Sequence, residues 1–309
     1  MGKRKLFCEI SPLTYQISVK KNIFLRKIKD ALSRQRFARI KSYEKLPVMI
    51  YKHASLIRRR LGNTDLELQE NKAVNLALSA PKVNGILIRP GETFSFWHLI
   101  GPDTARHGYK VGLTISNNKP STGVGGGHCQ FTNLIHWMVL HSDLTIVEHH
   151  HHDGFDLFPD YKRQIPFGTG TSIVYNYLDY RFRNDTDNVY QLLVYTDGEY
   201  LQGELRASKE QKSTYHICAE NEFFSKEDGI VFRNGTVIRK KIEKRRRIMR
   251  GSCMTLPVLR SEKPHLHQSG NKTVRSFRAA GPANSSGMNF QPDVIFGVID
   301  PRCSRSFIR

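Results

Sequence analysis

Six consecutive residues, Gly125-Gly126-Gly127-His128-Cys129-Gln130, combine more chemistry than any other stretch of this 309-residue chain. Three glycines let a backbone approach a ligand closely or turn through positive φ. The run from Cys129 to His141 sets Leu134, Ile135, Met138 and Val139 on one stripe, which predicts a helix with Cys129 in its first turn. Backbone N–H groups and the helix dipole favour a thiolate there, so Cys129 is the candidate nucleophile. Gln130, or the N–H groups beside it, could stabilise an oxyanion.

A thiolate mechanism needs a base, and four consecutive histidines, His149 to His152, follow the helix. The helix rises about 20 Å at 1.5 Å per residue. A strand from Asp143 to His149 covers a similar length, about 20–23 Å, so an antiparallel return would bring His149 to His152 level with Cys129. His152 or His150 is then the expected general base, oriented by Asp153, Asp156 or Asp179. Alternate residues of a strand share a face, so His150 and His152 could also chelate a metal with His128, Cys129 or Asp153. No CxxC or HExxH spacing supports that reading, and no metal or cofactor is expected.

The elements that must position these residues read as α+β, with N-terminal helices followed by a mostly antiparallel sheet. A helix is expected between about Asn71 and Ile88, broken or restarted at Pro81. Thr93 to Trp97, Val111 to Ser116, Leu144 to Glu148, Ser172 to Tyr177 and Tyr180 to Phe182 read as strands. Val189 to Tyr195 and Glu199 to Leu205 flank Asp197-Gly198, a hairpin signal whose type I′ turn needs positive φ at both central residues.

Charge is unevenly distributed. Residues 1–60 carry 17 basic and three acidic residues, whereas residues 61–238 carry 15 basic and 21 acidic ones. The flanks supply all of the net +20, which argues against nucleic acid as the central substrate. Residues 20–45 place Ile23, Phe24, Ile28, Leu32, Phe37 and Ile40 among lysines and arginines at helical spacing. Such a helix docks on the protein's own surface, lies on an anionic membrane face or contacts RNA. The expected organisation is a basic helical segment over 1–60, a folded domain over 61–240 and a poorly packed basic tail over 241–309. No secretory signal is read in Met1 to Tyr15, so the expected location is the cytoplasm, with reduced cysteines.

Those residues resemble the VanW family, named for an accessory protein of vancomycin-resistance gene clusters. The likeness covers about residues 40–210. It rests on Arg89-Pro90-Gly91-Glu92-Thr93-Phe94-Ser95-Phe96-Trp97, on Gly108-Tyr109-Lys110, on the Gly125–Gln130 run, on Leu144 to Glu148 with His152 following, and on Leu178 to Asn184 around Asp179. This sequence has Glu148-His149 where the family usually has Glu-Arg, and it lacks the family's carboxylate near Gly170-Thr171. No counterpart is recognised after about Arg250.

The resemblance implies a role in glycopeptide resistance or cell-envelope metabolism. Combined with the residues above, it makes Cys129, His152, His150, Gln130 and Asp179 the candidate catalytic set. Gly125, Gly126, Gly127, His128, Glu148 and Trp97 are the candidate ligand-binding set, for a peptidoglycan-precursor peptide. Three functions remain open at this level. They are a thiol-dependent hydrolase or acyltransferase, a non-catalytic module that binds an envelope precursor or a resistance enzyme, and a basic peripheral-membrane scaffold.

Overall fold

The computed structural model describes residues 6–59, 65–116, 119–151, 154–155, 165–175, 177–227, 230–243, 251–255, 259–262 and 298–299. The fold is α+β, and most of its strand pairs among the described residues are antiparallel, Arg36–Phe37 with Glu92–Thr93 being one of the parallel exceptions. Helix α1 spans Pro12–Leu32. It is followed by β1 (Arg36–Phe37), β2 (Val48–Leu56), α2 (Leu66–Val83), β3 (Ile86–Ile88), β4 (Glu92–Ser95) and α3 (Phe96–Ile100). The hairpin β5 (Val111–Ser116) and β6 (Lys119–Val124) feeds α4 (His128–Leu140). Then come β7 (Thr145–Glu148), β8 (Gly154–Phe155), β9 (Arg181–Arg183), β10 (Tyr190–Thr196) and β11 (Tyr200–Ala207). Two long strands, β12 (Ser213–Glu227) and β13 (Ile230–Glu243), form a second hairpin, on which β14 (Gly251–Thr255) and β15 (Leu259–Glu262) pair.

Two four-stranded sheets hold the body together, in the orders β1-β4-β9-β7 and β2-β11-β10-β3. The second is the floor on which α4 lies. Gly203 of β11 has no side chain, and Leu134 and Met138 of α4 fill that space. Phe94 and Phe182 stack across the β4–β9 pair at 4.6 Å between centroids, both fully buried. Each such side chain contributes about 2–3 kcal/mol of burial.

Several elements depart from the sequence expectations, each for a local reason. The basic helix expected over residues 20–45 starts earlier, where Ser11 and Thr14 form a reciprocal capping box with Pro12 in the first turn. It ends at Ser33, whose backbone is extended. Pro81 does not break α2, which continues to Val83; the ring removes one N–H close to the helix end. The strand expected over Thr93 to Trp97 stops at Ser95, whose hydroxyl accepts the His98 N–H and caps α3. Among the described residues of 172–177 there is no strand, only a bridge between Val174 and Leu178. At the β10–β11 hairpin Gly198 alone has positive φ; the Asp197 carboxylate instead accepts the Glu199 and Tyr200 N–H groups.

A buried charge cluster fastens α1 to the first sheet. Arg181 of β9 grips Asp30 of α1 with both terminal nitrogens, at 2.7 and 2.6 Å, and Asp179 with Nε at 2.7 Å. Arg26 of α1 pairs with Glu148 at the end of β7. Asp179 is fully buried and also accepts from Ser95 Oγ and the Trp97 and Tyr180 N–H groups. It ties β4, α3 and β9 together and is hydrogen-bonded to no histidine among the described residues. Burial works to raise the Glu148 pKa. Hydrogen bonds from His150 and Arg26, the Arg26 charge and the Asp179 N–H outweigh it and hold the carboxyl at about 2.

Glu148 therefore stabilises the fold fully above the pKa of an unfolded glutamate, about 4.3. That contribution, on the order of 3 kcal/mol, is lost as pH falls from there toward about 2. Glu148→Gln should be less stable at neutral pH, because Arg26 loses its buried partner, and should lose less stability than wild type on acidification. Urea unfolding of both proteins between about pH 5 and pH 3 checks the difference in slope.

Candidate functional site

The glycine run is a junction between β6, α2 and α4. Gly125 and Gly127 adopt φ +79° and +107°, which side-chain-bearing residues rarely adopt. A Cβ on Gly125 would collide with the Asp103 carboxylate, and one on Gly127 with the stem of Lys72. At Gly126 the backbone meets that of Gly112 in β5 so closely that neither has room for a side chain. The Asn75 amide of α2 locks the junction. Its nitrogen donates to the Lys110 and Gly126 carbonyls at 3.0 and 2.9 Å, and its oxygen accepts the Lys110 N–H at 2.8 Å.

His128 opens α4 and is buried. Its Nδ1 lies 3.4 Å from Asp103 Oδ2, and its Nε2 is 2.8 Å from Ser79 Oγ of α2. Ser79 continues to the Tyr109 hydroxyl at 3.1 Å, to which Lys82 Nζ donates at 3.1 Å. Carboxylate, imidazole and hydroxyl follow one another in the order of a hydrolytic triad, but His128 Nδ1 makes no hydrogen bond, so Asp103 only approaches the ring. Ser79 has no exposed surface, so this alignment is a buried polar brace and not a nucleophile that substrate can reach. Trp97 packs edge-on against His128 and Tyr175, and its Nε1 donates to the Leu178 carbonyl.

Cys129 is the second residue of α4, half-buried against the edge of the main core. Gln130 points the other way. Both of its amide hydrogens are engaged, by Ser55 Oγ at 2.9 Å and the Leu56 carbonyl at 2.8 Å, so it fixes α4 to β2 and is no oxyanion donor. His149 falls short of the level of Cys129. Residues 141–144 are spent in a hydrogen-bonded turn after α4, and β7 bulges between Ile146 and Glu148. His149 therefore stacks on His136 at 4.2 Å, and His136 lies seven residues, about 10 Å of helix, beyond Cys129. His150 turns its Nε2 to Glu148 at 3.0 Å, joining the charge cluster that holds α1. His152, with Asp153 and Asp156, lies outside the described residues.

Buried His136 and half-buried His149 and His151 form an imidazole group, completed by a 3.0 Å hydrogen bond between His136 Nδ1 and the Tyr180 hydroxyl. Burial, reinforced by neighbouring positive charge, lowers His136 to about 3 and His151 to about 4. Such imidazoles are neutral at physiological pH and weak as bases. Among the described residues no group of three or more His, Cys, Asp or Glu side chains could hold a metal ion.

The sequence reading missed the partners that α2 supplies. Gln69, Lys72, Asn75 and Ser79 recur at intervals of three and four residues, the spacing of one helix face, and all four are buried. A polar stripe sharing the helix with Leu76, Ala80 and Val83 is the signal that could have exposed them. Lys72 is the costliest member. Its Nζ is buried with no hydrogen-bond partner, and burial, with Arg59 and Arg58 nearby, drives its pKa well below the usual lysine value.

A glycine junction feeding a core helix, braced by a polar stripe and flanked by two mostly antiparallel sheets, defines an α+β domain of one kind. A family model described as VanW-like protein matches residues 71–206, the span from α2 to β11. The chain is 36% identical over 197 residues to the vancomycin B-type resistance protein VanW of Enterococcus faecalis, covering 64% of this chain and 71% of that protein. It is 30% identical over 118 residues to the uncharacterized protein YoaR of Bacillus subtilis, covering 37% of this chain and 36% of that one. No solved structure matches. The chain belongs to the VanW family.

Lys72→Met keeps the stem that fills the space beside Gly127 and removes the unpartnered amine. It should raise the unfolding free energy by about 1–3 kcal/mol, measured by urea unfolding at neutral pH.

Proposed function

We propose that this protein contributes to glycopeptide resistance by acting on a peptidoglycan-related peptide at the start of α4, with Cys129 as nucleophile in a hydrolase or acyltransferase reaction. The observation that carries this reading is the position of Cys129, half-buried in the first turn of a helix whose N-cap glycine is locked in place. The likeness to the Enterococcus vancomycin B-type resistance protein supports the resistance role. In the proposed step the Cys129 sulfur bonds to the acyl carbon of the peptide. The thiol proton passes to His152 and then to the leaving amine, and water or an acceptor amine later releases the acyl group.

The charge cluster recruits His150, Glu148 and Asp179 to hold α1, and the core takes Trp97. The reading takes Cys129 and His152 as the reactive pair, with Asp103 beside Gly125.

The reading predicts that Cys129 alkylates with iodoacetamide at neutral pH at least about tenfold faster than a thiol of pKa about 8.5. Cys129→Ser should reduce vancomycin tolerance in a host that depends on this protein to the level of a deletion, with the unfolding midpoint unchanged. A slow thiol together with a fully tolerant Cys129→Ser strain would point to a binding module in place of a thiol enzyme.

A further inference from the structure

Helix α1 is docked with its polarity reversed. The face turned into the protein carries Arg26 and Asp30, which enter the buried charge cluster, together with Tyr15, Val19 and Ile23, each partly covered. The face turned outward carries Leu13, Ile17, Phe24, Leu25, Ile28 and Leu32, with Phe24 62% and Leu32 79% exposed. At 100° per residue these six fall within about 120° of arc, so they form one stripe along a helix about 30 Å long.

Charge on the outward side is of a single sign. Lys20 and Lys27 border one edge of the stripe, Lys29 borders the other and Lys21 lies within it, and all four are exposed. The acidic residue of α1, Asp30, is turned inward against Arg181. An apolar stripe edged by lysines and free of carboxylates suits the boundary between lipid tails and anionic headgroups. A second copy of the helix would set lysine against lysine. No helix of the described residues is long and apolar enough to cross a membrane, so α1 would lie along the surface.

We infer that the outward face of α1 is a docking surface for an anionic phospholipid membrane. The ionic anchor of Arg26 and Asp30 presents it there with the body attached. This assignment rests on α1 alone and is independent of Cys129 chemistry.

The test is sedimentation of the full chain with phosphatidylcholine vesicles made with or without phosphatidylglycerol. Binding to the anionic vesicles should exceed binding to the neutral ones at least about tenfold at low salt, and should weaken as salt is raised. The double variant Phe24→Glu/Ile28→Glu should lower anionic-vesicle binding about tenfold or more, because it removes buried apolar area and adds negative charge. Lys20→Glu/Lys21→Glu/Lys27→Glu should erase the preference for anionic lipid. All of these positions are exposed, so circular dichroism and the unfolding midpoint should match wild type. Equal binding to both vesicle types, no binding, or full binding by the Phe24/Ile28 variant would overturn the inference. So would light scattering in which wild type is a dimer, the Phe24/Ile28 variant is a monomer and neither binds vesicles, since the stripe would then be an interface between copies.

Discussion

The Asn75 carboxamide is the constraint on which the centre of the molecule depends. One side chain satisfies both backbone groups of Lys110 and the carbonyl of Gly126, so three separate segments are held at fixed distances. These are α2, the entry to β5 and the glycine run before α4. No hydrophobic contact could do this, because dispersion is not directional whereas three hydrogen bonds to one planar amide are. Once the loop is held, the left-handed turns at Gly125 and Gly127 follow, and the first turn of α4 can emerge only where it does.

Around that clamp the protein buries an unusual amount of polarity. The chain Asp103–His128–Ser79–Tyr109–Lys82 runs beside it, and the α1 charge cluster lies on the other side of α3. In the low dielectric of a core such networks fix geometry only if most members are satisfied, and here they are. The exceptions include His128 Nδ1 within the chain and Arg26 Nε within the cluster, and also Lys72 Nζ, Gln69 Nε2 and Gln130 Oε1, on the side where α2 and α4 face the end of β2.

Much of the frame was legible from periodicity. The stripe Leu134, Ile135, Met138 and Val139 specified α4, and alternating residues around Asp197-Gly198 specified β10 and β11. The strand–helix boundary at Ser95 was not legible, because aromatic residues such as Phe96 and Trp97 suit either state and the capping hydroxyl decided the outcome. The site was harder to read. Residues read as ligand-facing serve the protein itself. Gln130 anchors α4 to β2, Glu148 anchors α1, and the glycines accommodate Asp103, Lys72 and Gly112. Spacing shows which residues can reach a place, but not which long-range partner, such as Arg26 for Glu148, 122 positions away, reaches it first.

The crossing of Gly112 and Gly126 has a consequence for how such a chain can change over generations. The two backbones press together so tightly that even a methyl group on either one must displace the other strand. Neither site can compensate for the other, since glycine has nothing smaller to retreat to. A random library screened for folded survivors should therefore return these two positions as paired blanks, and drift elsewhere in β5 and β6 must proceed around a hinge of fixed width.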